Sequence, residues 1–454
     1  MGENDDHPPG DTMTRLSRLH TLATACAAAS VLTAQQVQAS GFAVPELSVL
    51  GIGTANALVA NPDEPGALAY NPAAIAFHPQ SAWSVGALFI NPYFSVRTAT
   101  GKHDSDGAEW HALPLVNAAV RVDDKWALGL SVNSPFGLET RWPLGTFPEL
   151  SSTAPVPLGP PLGTVTLPLS TQPTQSKAEI LNFTPTVTYG ITDEFSVAAG
   201  ADIYWAKSAE FNSSLTSVKG DGSGWGFNLS AMYVKDALSL GLSFHSAATV
   251  SMDGYYTALN PTLVQIYQGT GGMMGIPPSQ TASLDLNLPW RLQLGVRYEI
   301  TDALAAEVDW TRNGWSEFDE LSIDLSSGST LVSDKNGWDD ANAYRLGFTY
   351  DVREGTQLRF GYSYDETPQG DRYFTPRIPD SDRQLFSLGI AQSLGQGWGL
   401  EAGYMYVMND ERNYTGGEAY VPGGPTNGTT AYDGKYEAHA HLLGIGISKQ
   451  FDAF

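Results

Sequence analysis

The sequence is poor in three features that most large soluble proteins have. It has a single cysteine, Cys26, which excludes an intramolecular disulfide and a cysteine-based zinc site. Charged residues make up only 16% of the chain. Only 24 residues are basic against 48 acidic ones, and this balance excludes a nucleic-acid binder that works by phosphate neutralisation. No apolar run approaches the roughly 20 residues of a membrane helix. Glycine is abundant, with 47 residues, and aromatics reach 11%, so the composition favours one large repetitive architecture.

The N-terminus has the three parts of a secretory signal peptide. Arg15 and Arg18 precede an Ala-rich apolar run over residues 22–32, and Val37-Gln38-Ala39 is a small-x-small cleavage site. We therefore expect residues 1–39 to be removed, leaving 454 − 39 = 415 residues. Met13 is an alternative start, which would make residues 1–12 an upstream extension. A lipoprotein processed at Cys26 is the other interpretation of this segment.

From about residue 81 the sequence alternates apolar with polar or small residues, the period of a β-strand with two unlike faces. About fourteen such strands are predicted; they start near Trp83, Trp110, Trp126, Ile180, Phe195, Trp225, Leu238, Ser283, Leu304, Asn342, Thr356, Gln384, Trp398 and Tyr436. Tight turns such as Thr192-Asp193-Glu194 alternate with long connections, the longest from about 134 to 177. Short turns at one rim and long loops at the other are typical of an outer-membrane barrel, whereas a soluble β-sandwich has no reason to separate loop lengths in this way. The predicted fold class is an all-β, antiparallel, 14-stranded transmembrane barrel over residues 81–454.

Residues 40–80 do not alternate and are rich in small residues and proline. The lumen of a barrel of about fourteen strands is too wide for strand side chains alone to fill. We therefore expect this segment to form a hatch inside the barrel, with Asn71, Pro72 and Ala73 as a fixed turn against the wall. A periplasmic tail is the alternative. A mutually neutralising network is expected on the predicted lumen faces, between Arg291, Arg297, Arg345 and Arg359 and the acids Glu299, Glu307, Asp309 and Glu401.

Several short patterns occur together in an order that resembles one known family. They are Ser40-Gly-Phe42 with Glu46, Gly51-x-Gly53, Asn71-Pro-Ala73, Phe136-Gly-Leu138 with Thr140 and Trp142, Gly224-Trp-Gly-Phe227, Asn287-Leu-Pro289, Trp315-Ser-x-Phe318 and Ile378-Pro-Asp-x-Asp-Arg383. In these residues the chain resembles the FadL-type outer-membrane transporters of long-chain fatty acids and other hydrophobic compounds. The resemblance implies a fourteen-stranded barrel with an N-terminal hatch, and a ligand path through a gap in the barrel wall into the bilayer.

Two of the long loops are unusually apolar for segments outside a membrane. The first contains Leu144, Phe147 and Leu150, and the second contains Leu259, Ile266 and Met273. Apolar groups in exposed loops are a liability unless they are covered or used. We predict that these two loops capture the hydrophobic ligand; packing of the loops on each other is the alternative.

The resemblance also implies residues that hold a ligand in the lumen. Phe42 matches the aromatic residue of the family near the mature N-terminus, and Lys207 matches a basic group that meets the fatty-acid carboxylate. By strict alternation from Trp205, Lys207 would face lipid, so its inward orientation requires a bulge. The family's second basic position matches Asp339, with Lys335 nearby, and this departure makes alkanes, arenes or other neutral ligands more plausible.

The chain is not expected to be an enzyme, because it has no nucleophile elbow, phosphate loop or helical metalloprotease motif. No catalytic residue, cofactor or metal is predicted; His439 and His441 share a strand face but have no clear third ligand. The expected partners are a hydrophobic small molecule, outer-membrane lipid and lipopolysaccharide, and the barrel-assembly machinery, with no nucleic acid and a monomeric state. The expected location is the outer membrane of a Gram-negative bacterium. A general diffusion porin, an outer-membrane hydrolase and a purely structural or adhesive barrel remain the alternative functions.

Overall fold

The computed structural model describes residues 41–106, 109–159, 163–168 and 170–452. The predicted signal peptide, residues 1–39, lies outside the described residues, so its cleavage site stays a prediction. None of the helices in the described ranges is long and apolar enough to cross a membrane.

The described chain is dominated by β-strands, which form one large antiparallel sheet and one small one. The strands are β1 Ser81–Thr98, β2 Gly101–Asp104, β3 His111–Arg121, β4 Trp126–Arg141, β5 Thr153–Gly159, β6 Gly163–Pro168, β7 Pro173–Gly190, β8 Phe195–Ser213, β9 Thr216–Lys235, β10 Leu238–His245, β11 Ala248–Ala258, β12 Gln280–Leu288, β13 Trp290–Thr301, β14 Leu304–Gly314, β15 Glu320–Leu325, β16 Thr330–Lys335, β17 Ala341–Arg353, β18 Thr356–Asp365, β19 Arg383–Gly395, β20 Trp398–Asn409, β21 Arg412–Tyr414 and β22 Gly434–Phe451.

The large sheet closes into a barrel of fourteen strands. Four of these strands consist of two consecutive segments, namely β10 with β11, β12 with β13, β14 with β15, and β16 with β17. The first strand pairs with the last, from Ser81–Phe451 to Arg97–Lys435, so the sheet has no open edge there. The prediction of a closed fourteen-stranded antiparallel barrel is confirmed. Strands β5 and β6 form a separate hairpin in the long loop between β4 and β7.

The two faces of the wall follow from the period of two in the sequence. On β13 and β14, Leu294, Val296 and Val308 are exposed on the outer face, whereas Arg297 and Asp309 are buried in the lumen. Exposed aliphatic side chains on a continuous outer face suit contact with lipid, and polar side chains inside suit a barrel lumen.

Two predicted strand starts are too late. The start near Ile180 is wrong by 180 − 173 = 7 residues, because β7 begins at Pro173, and that near Trp225 is wrong by 225 − 216 = 9, because β9 begins at Thr216. Both strands extend beyond the alternating part of the sequence. In β9 the extension contains Gly220, Gly222 and Gly224, which carry no apolar side chain and hide the pattern; a Cβ at Gly222 would lie 2.0 Å from the Ser251 carbonyl oxygen of β11.

Residues 41–80 form no barrel strand and lie against inward-facing side chains. They contain the short helix α1, Val49–Gly53, and the 3₁₀ turns Pro65–Ala69 and Pro72–Phe77. Ser48 caps α1 by accepting a hydrogen bond from the Gly51 amide. Most of the segment is buried, so it occupies lumen space between the strands. We call this segment the hatch.

A second helix, α2 Pro261–Gly269, follows β11 in a connection at the end of the barrel opposite the tight turns. The Asn260 side chain accepts hydrogen bonds from the Thr262 and Leu263 amides, and Pro261 occupies the first helical position, where a missing N–H costs nothing. The helix thus begins where the sequence supplies both start signals.

Candidate functional site

The barrel wall is interrupted between β3 and β4. Their described pairing runs only from Val116–Val132 to Arg121–Ala127. Beyond Val132 the register of β4 shifts between Asn133 and Phe136. Pro135 lies in this irregularity and has no N–H for a ladder bond, which is the position where proline is tolerated in a sheet. We call the opening between residues 111–115 of β3 and 135–138 of β4 the wall gap.

The hatch replaces β3 as the partner of β4 at this point. The Val44 amide donates to the Pro135 carbonyl over 2.8 Å, and the Gly137 amide donates to the Phe42 carbonyl over 3.0 Å. Ala43 and Phe136 form an antiparallel bridge. We call the end of the barrel opposite the tight turns its upper end. The upper half of β4 is therefore held from inside the lumen, and that contact keeps the wall gap open.

A cavity of about 470 Å³ lies behind the wall gap. It is lined on one side of the gap by residues 110–114 and on the other by Ser134, Gly137 and Leu138. Apolar side chains form most of the remaining wall; they include Ile90, Phe94, Leu181, Leu385, Val407 and Leu442. We call this space the gap cavity. Its shape and apolar lining suit a hydrophobic small molecule.

A chain of charges borders the gap cavity. Lys207 lies in a bulge of β8 between Ala206 and Ala209, lines the cavity, and pairs with Glu179 at 3.2 Å. Glu179 also pairs with Lys177 at 2.8 Å, and Lys177 with Glu139 at 3.5 Å. A bulge is thus present, but the Lys207 side chain is 61% exposed and its ammonium group already has a carboxylate partner, so an inward orientation stays a prediction.

A second cavity of about 110 Å³ adjoins the first. Its walls come from the upper parts of β7, β8, β9, β11, β12 and β15, and both cavities are lined by Phe42, Leu138, Ala178 and Ile378. We call it the second cavity. Because these four residues face both spaces, they form the partition between them.

Phe42 is the centre of an aromatic cluster at this partition. Its ring centroid lies 4.8 Å from Trp315, 5.5 Å from Phe318 and 5.9 Å from Phe136. Trp338 packs edge-on against Trp315 at 5.1 Å. Edge-to-face aromatic pairs of this kind add stability beyond the area that they bury, so Phe42 is firmly placed.

Hydrogen bonds from backbone amides of the hatch to carboxylate side chains of β14 attach the hatch to the wall below the cavities. Asp309 accepts from the amides of Leu58 and Val59 at 2.7 and 3.0 Å, and Glu307 accepts from the Ala60 amide at 2.6 Å. These bonds are buried, so breaking one leaves a buried amide without an acceptor, which makes them strong anchors.

The Asn71-Pro72-Ala73 turn makes further contacts with the wall. The Asn71 side-chain amide donates to the carbonyls of Val59 and Ala231, at 2.7 and 3.1 Å. Ser196 donates to the Ala73 carbonyl at 2.7 Å, and Thr188 to the Pro72 carbonyl at 2.9 Å. The turn therefore contacts three strands, β7, β8 and β9, in the geometry that the hatch prediction requires.

The predicted capture residues do not line either cavity. Phe147 and Leu150 are buried in an outer cluster with Trp142, Phe374 and Tyr432. Ile266 packs with Leu263 of α2 and Leu167 of β6, so the two apolar loops do meet each other. Leu144, Leu259 and Met273 are exposed. A ligand role for these six residues stays a prediction.

The sequence interpretation missed two contributors to the site. Asp380 accepts a hydrogen bond from the Gly41 amide at 2.9 Å and so fixes the segment that carries Phe42. Arg377 lines the second cavity. Both lie in or beside the Ile378-Pro-Asp-x-Asp-Arg383 pattern, which entered the sequence analysis only through the family resemblance. Sequence reasoning missed their contacts because a short polar pattern in a long loop does not indicate what it touches.

The geometry agrees with what comparison with known proteins shows. The family model described as "Outer membrane protein transport protein (OMPP1/FadL/TodX)" matches residues 30–149 and 164–451. The chain belongs to this family. Membership makes it an outer-membrane transport protein of the β-barrel type, and it confirms the predicted location and the family resemblance.

Individual relatives are distant but similar over their full lengths. The long-chain fatty acid transport protein of Escherichia coli O6:H1 is 26% identical over 458 residues, covering 94% of this chain and 98% of the relative. Outer membrane protein P1 of Haemophilus influenzae is 24% identical, with 94% and 98% covered.

Solved structures show the same fold. A Pseudomonas aeruginosa FadL homologue superposes with a TM-score of 0.73 at 21% identity, covering 91% of this chain and all of that one. The Ralstonia pickettii toluene transporter TbuX gives 0.63 at 14% identity, covering 89% and 98%.

Proposed function

We propose that this protein carries hydrophobic small molecules across the outer membrane and releases them sideways into the bilayer. The observation that carries the proposal is the gap cavity, which is apolar and lined by residues on both sides of the wall gap. The hatch occupies the lumen below it. In this mechanism residues 40–80 act as the plug and residues 81–454 as the transporting barrel.

The energetics favour the sideways path over the straight one. Each buried CH₂ gains about 0.8 kcal/mol, so an alkyl chain is stable in the gap cavity and equally so in the hydrocarbon of the bilayer. A path straight through the lumen would take the alkyl chain of the ligand past buried polar groups, which offer it no apolar surface; they include Asn182, Asp202, His245 and Arg345. A hydrophobic ligand therefore moves between two environments of similar polarity only through the wall gap.

The early steps follow from the outer loops. Exposed Leu144, Leu259 and Met273 would take up the ligand at the lipopolysaccharide side, and Phe42 would separate the two cavities through which it passes. We expect the protein to act as a monomer, because one chain encloses both cavities and the gap, and to depend on the barrel-assembly machinery for insertion. No chemical step is part of this function.

Two substrate classes are compatible with the relatives. Those named above are described as a long-chain fatty acid transport protein and a toluene transporter. The gap cavity suits both classes, since most of its lining is apolar and the charges of Lys207, Glu179, Lys177 and Glu139 are paired with one another. The substrate class is therefore to be decided by residues that distinguish acids from neutral compounds.

A side chain placed in the wall gap tests the proposal directly. A Cβ at Gly137 would have its nearest neighbours at 3.7 and 3.9 Å, so Gly137→Trp can be accommodated and its indole would obstruct the gap. We expect uptake of labelled toluene and of labelled palmitate by cells that depend on this protein to fall at least tenfold. Gly417→Trp is the matched control, because nothing lies within 4 Å of a Cβ there and the residue is far from the gap in an outer loop.

The same cells separate the alternatives. Wild-type uptake in Gly137→Trp cells, with equal amounts of folded barrel in the outer membrane, would contradict lateral release. Steady ion conductance of the wild-type protein in planar bilayers would instead support the diffusion porin. Hydrolysis of an ester probe that is lost on substitution of a lumen residue would support the hydrolase, and hydrolysis that no such substitution affects would not.

A further inference from the structure

One positively charged side chain without an ion-pair partner in the described part of the chain lines the second cavity, whose lining is mostly apolar. The wall residues include Phe211, Phe318, Leu284 and Ile323, and the partition contributes Phe42. Arg377 reaches the cavity from the loop between β18 and β19. A buried cation in apolar surroundings is costly unless an anion is near, so its presence requires an explanation.

The guanidinium of Arg377 is held in a fixed orientation. Its carbon atom lies 3.5 Å from the centroid of the Phe211 ring. Its Nη1 atom donates to the carbonyls of Gln175 and Asn212 and to the Ser176 hydroxyl, at 3.2, 3.0 and 3.0 Å. All of these partners are neutral. They position the group without neutralising it.

The other edge of the guanidinium has no partner in the described part of the chain. No hydrogen bond from Nε or Nη2 of Arg377 is present there, and no carboxylate lies within ion-pair distance. A planar Nε–Nη2 edge matches the two oxygens of a carboxylate, which it binds with two parallel hydrogen bonds. The free edge is therefore the type of site that a monocarboxylate head group fits.

The remaining charges at the second cavity do not compete for that role. Lys219 is paired with Glu210 at 2.9 Å, and Asp253 is exposed on the outer face. Burial lowers the pKa of Arg377 from its usual value to about 10, against the opposing effects of Tyr432 and Asp334, so the group stays protonated at neutral pH. The second cavity thus has one buried positive charge that has no ion-pair partner in the described part of the chain; the Asp334 carboxylate acts on it only from beyond ion-pair distance.

We propose that Arg377 binds the carboxylate of a long-chain acid whose alkyl tail lies in the second cavity and continues past Leu138 into the gap cavity. This proposal rests on the proposed transport function and assigns its substrate class. It also reassigns the head-group role, since Lys207 already pairs with Glu179 whereas Arg377 has no anionic partner within ion-pair distance. The short second cavity alone would not hold a long tail, and the shared partition supplies the continuation.

Binding of two ligands with the same tail tests the assignment. The mature chain, purified in non-ionic detergent, would be titrated with palmitate and with 1-hexadecanol. For Arg377→Met we expect at least a tenfold increase in the Kd for palmitate and a change within twofold for hexadecanol. Arg377→Lys keeps the charge but lacks the planar edge, and should lie between. Arg372→Met, an exposed arginine of the same loop that lines neither cavity, is the matched control and should change the ratio of the two affinities less than threefold. Lys207→Met tests the alternative head-group residue.

The outcomes that overturn the proposal are distinct from failure of the transport function. Equal loss of both ligands in Arg377→Met, or selective loss of palmitate in Lys207→Met, would remove Arg377 from the head-group role and leave transport intact. Wild-type protein that binds neither ligand would overturn both proposals. If Arg377→Met does not assemble, the wild-type protein still decides: palmitate should bind at least tenfold tighter than its methyl ester, and equal affinity would overturn the assignment.

Discussion

The upper and lower halves of the lumen differ in the continuity of their wall and in the polarity of their interior. In the upper half the strand ladder is broken at the wall gap, and two cavities with apolar linings adjoin it. In the lower half the ladders are continuous, and the hatch is tied to the wall by buried carboxylates and amides. Where the wall opens the interior is apolar, and where the wall is closed the interior is polar. We therefore expect permeability to hydrophobic compounds and closure to ions to depend on different halves of the barrel.

The largest effect is expected from removing the structure that closes the lower half. Deletion of residues 42–75 would leave a lumen of fourteen strands that inward side chains alone do not fill. Single-channel conductance in planar bilayers should then rise from near zero to that of an open porin. Deletion of residues 415–424, in the outer connection between β21 and β22, serves as the control and should leave the conductance low. An equally low conductance in both deletions would show that the hatch is not the plug.

A smaller effect is expected from loosening the anchors of the hatch. Asp309→Ala leaves the buried amides of Leu58 and Val59 without an acceptor, at a cost of about 1–3 kcal/mol for each. The hatch should remain in place most of the time but open transiently, so brief conductance events should appear above the wild-type baseline. Asp302→Ala, in a tight turn between β13 and β14, is the matched control and should match the wild type. Events of equal frequency in both variants would mean that Asp309 does not anchor the hatch.

The outer loops offer a test of how the ligand reaches the upper half. Met273 and Leu144 are 84% and 73% exposed, so replacing both by Ser removes apolar surface without opening a core. If they capture the ligand, uptake at limiting concentration should fall about two- to fivefold, because part of the roughly 25 cal/mol per Å² of apolar contact is lost. Uptake at saturating concentration should be unchanged. Val421→Ser, also exposed, is the control; equal effects would contradict the capture prediction.

The barrel was more predictable from the sequence than the site was, and the reason is physical. Phe195, Leu304 and Thr356 were predicted as strand starts and are the first residues of β8, β14 and β18, since a tight turn and an alternating strand leave a local signal. The lumen network was also visible from alternation: Arg359 pairs with Glu401 at 3.1 Å. By contrast, the contact between Arg377 and Phe211 joins residues that are far apart in the chain, and no local pattern encodes it.

The smallest expected effect concerns pH and the loop that closes the upper half from outside. Asp382 precedes β19, and its carboxylate accepts hydrogen bonds from the Tyr364 hydroxyl at 2.7 Å and the Thr367 amide at 3.2 Å. Burial, with the nearby carboxylates of Asp410, Asp380 and Glu366, raises the pKa of Asp382 from 3.8 to about 7. Because this folded-state pKa lies above the unfolded value, the contribution of the group to loop stability is complete below about pH 4 and is lost as the pH rises through 7.

The loop over residues 366–382 should therefore be better protected at pH 5.5 than at pH 8, which amide hydrogen exchange would measure on the protein in detergent. In Asp382→Asn the side chain is neutral at both pH values, so the difference in protection, corrected for intrinsic exchange, should shrink toward zero. The hatch residues 49–53, which pack on β19 and β20 far from this carboxylate, provide an internal control whose protection should not change. A wild-type loop that is less protected at pH 5.5, or an unchanged difference in Asp382→Asn, would show that Asp382 does not titrate in this way and that closure of the upper half is independent of pH.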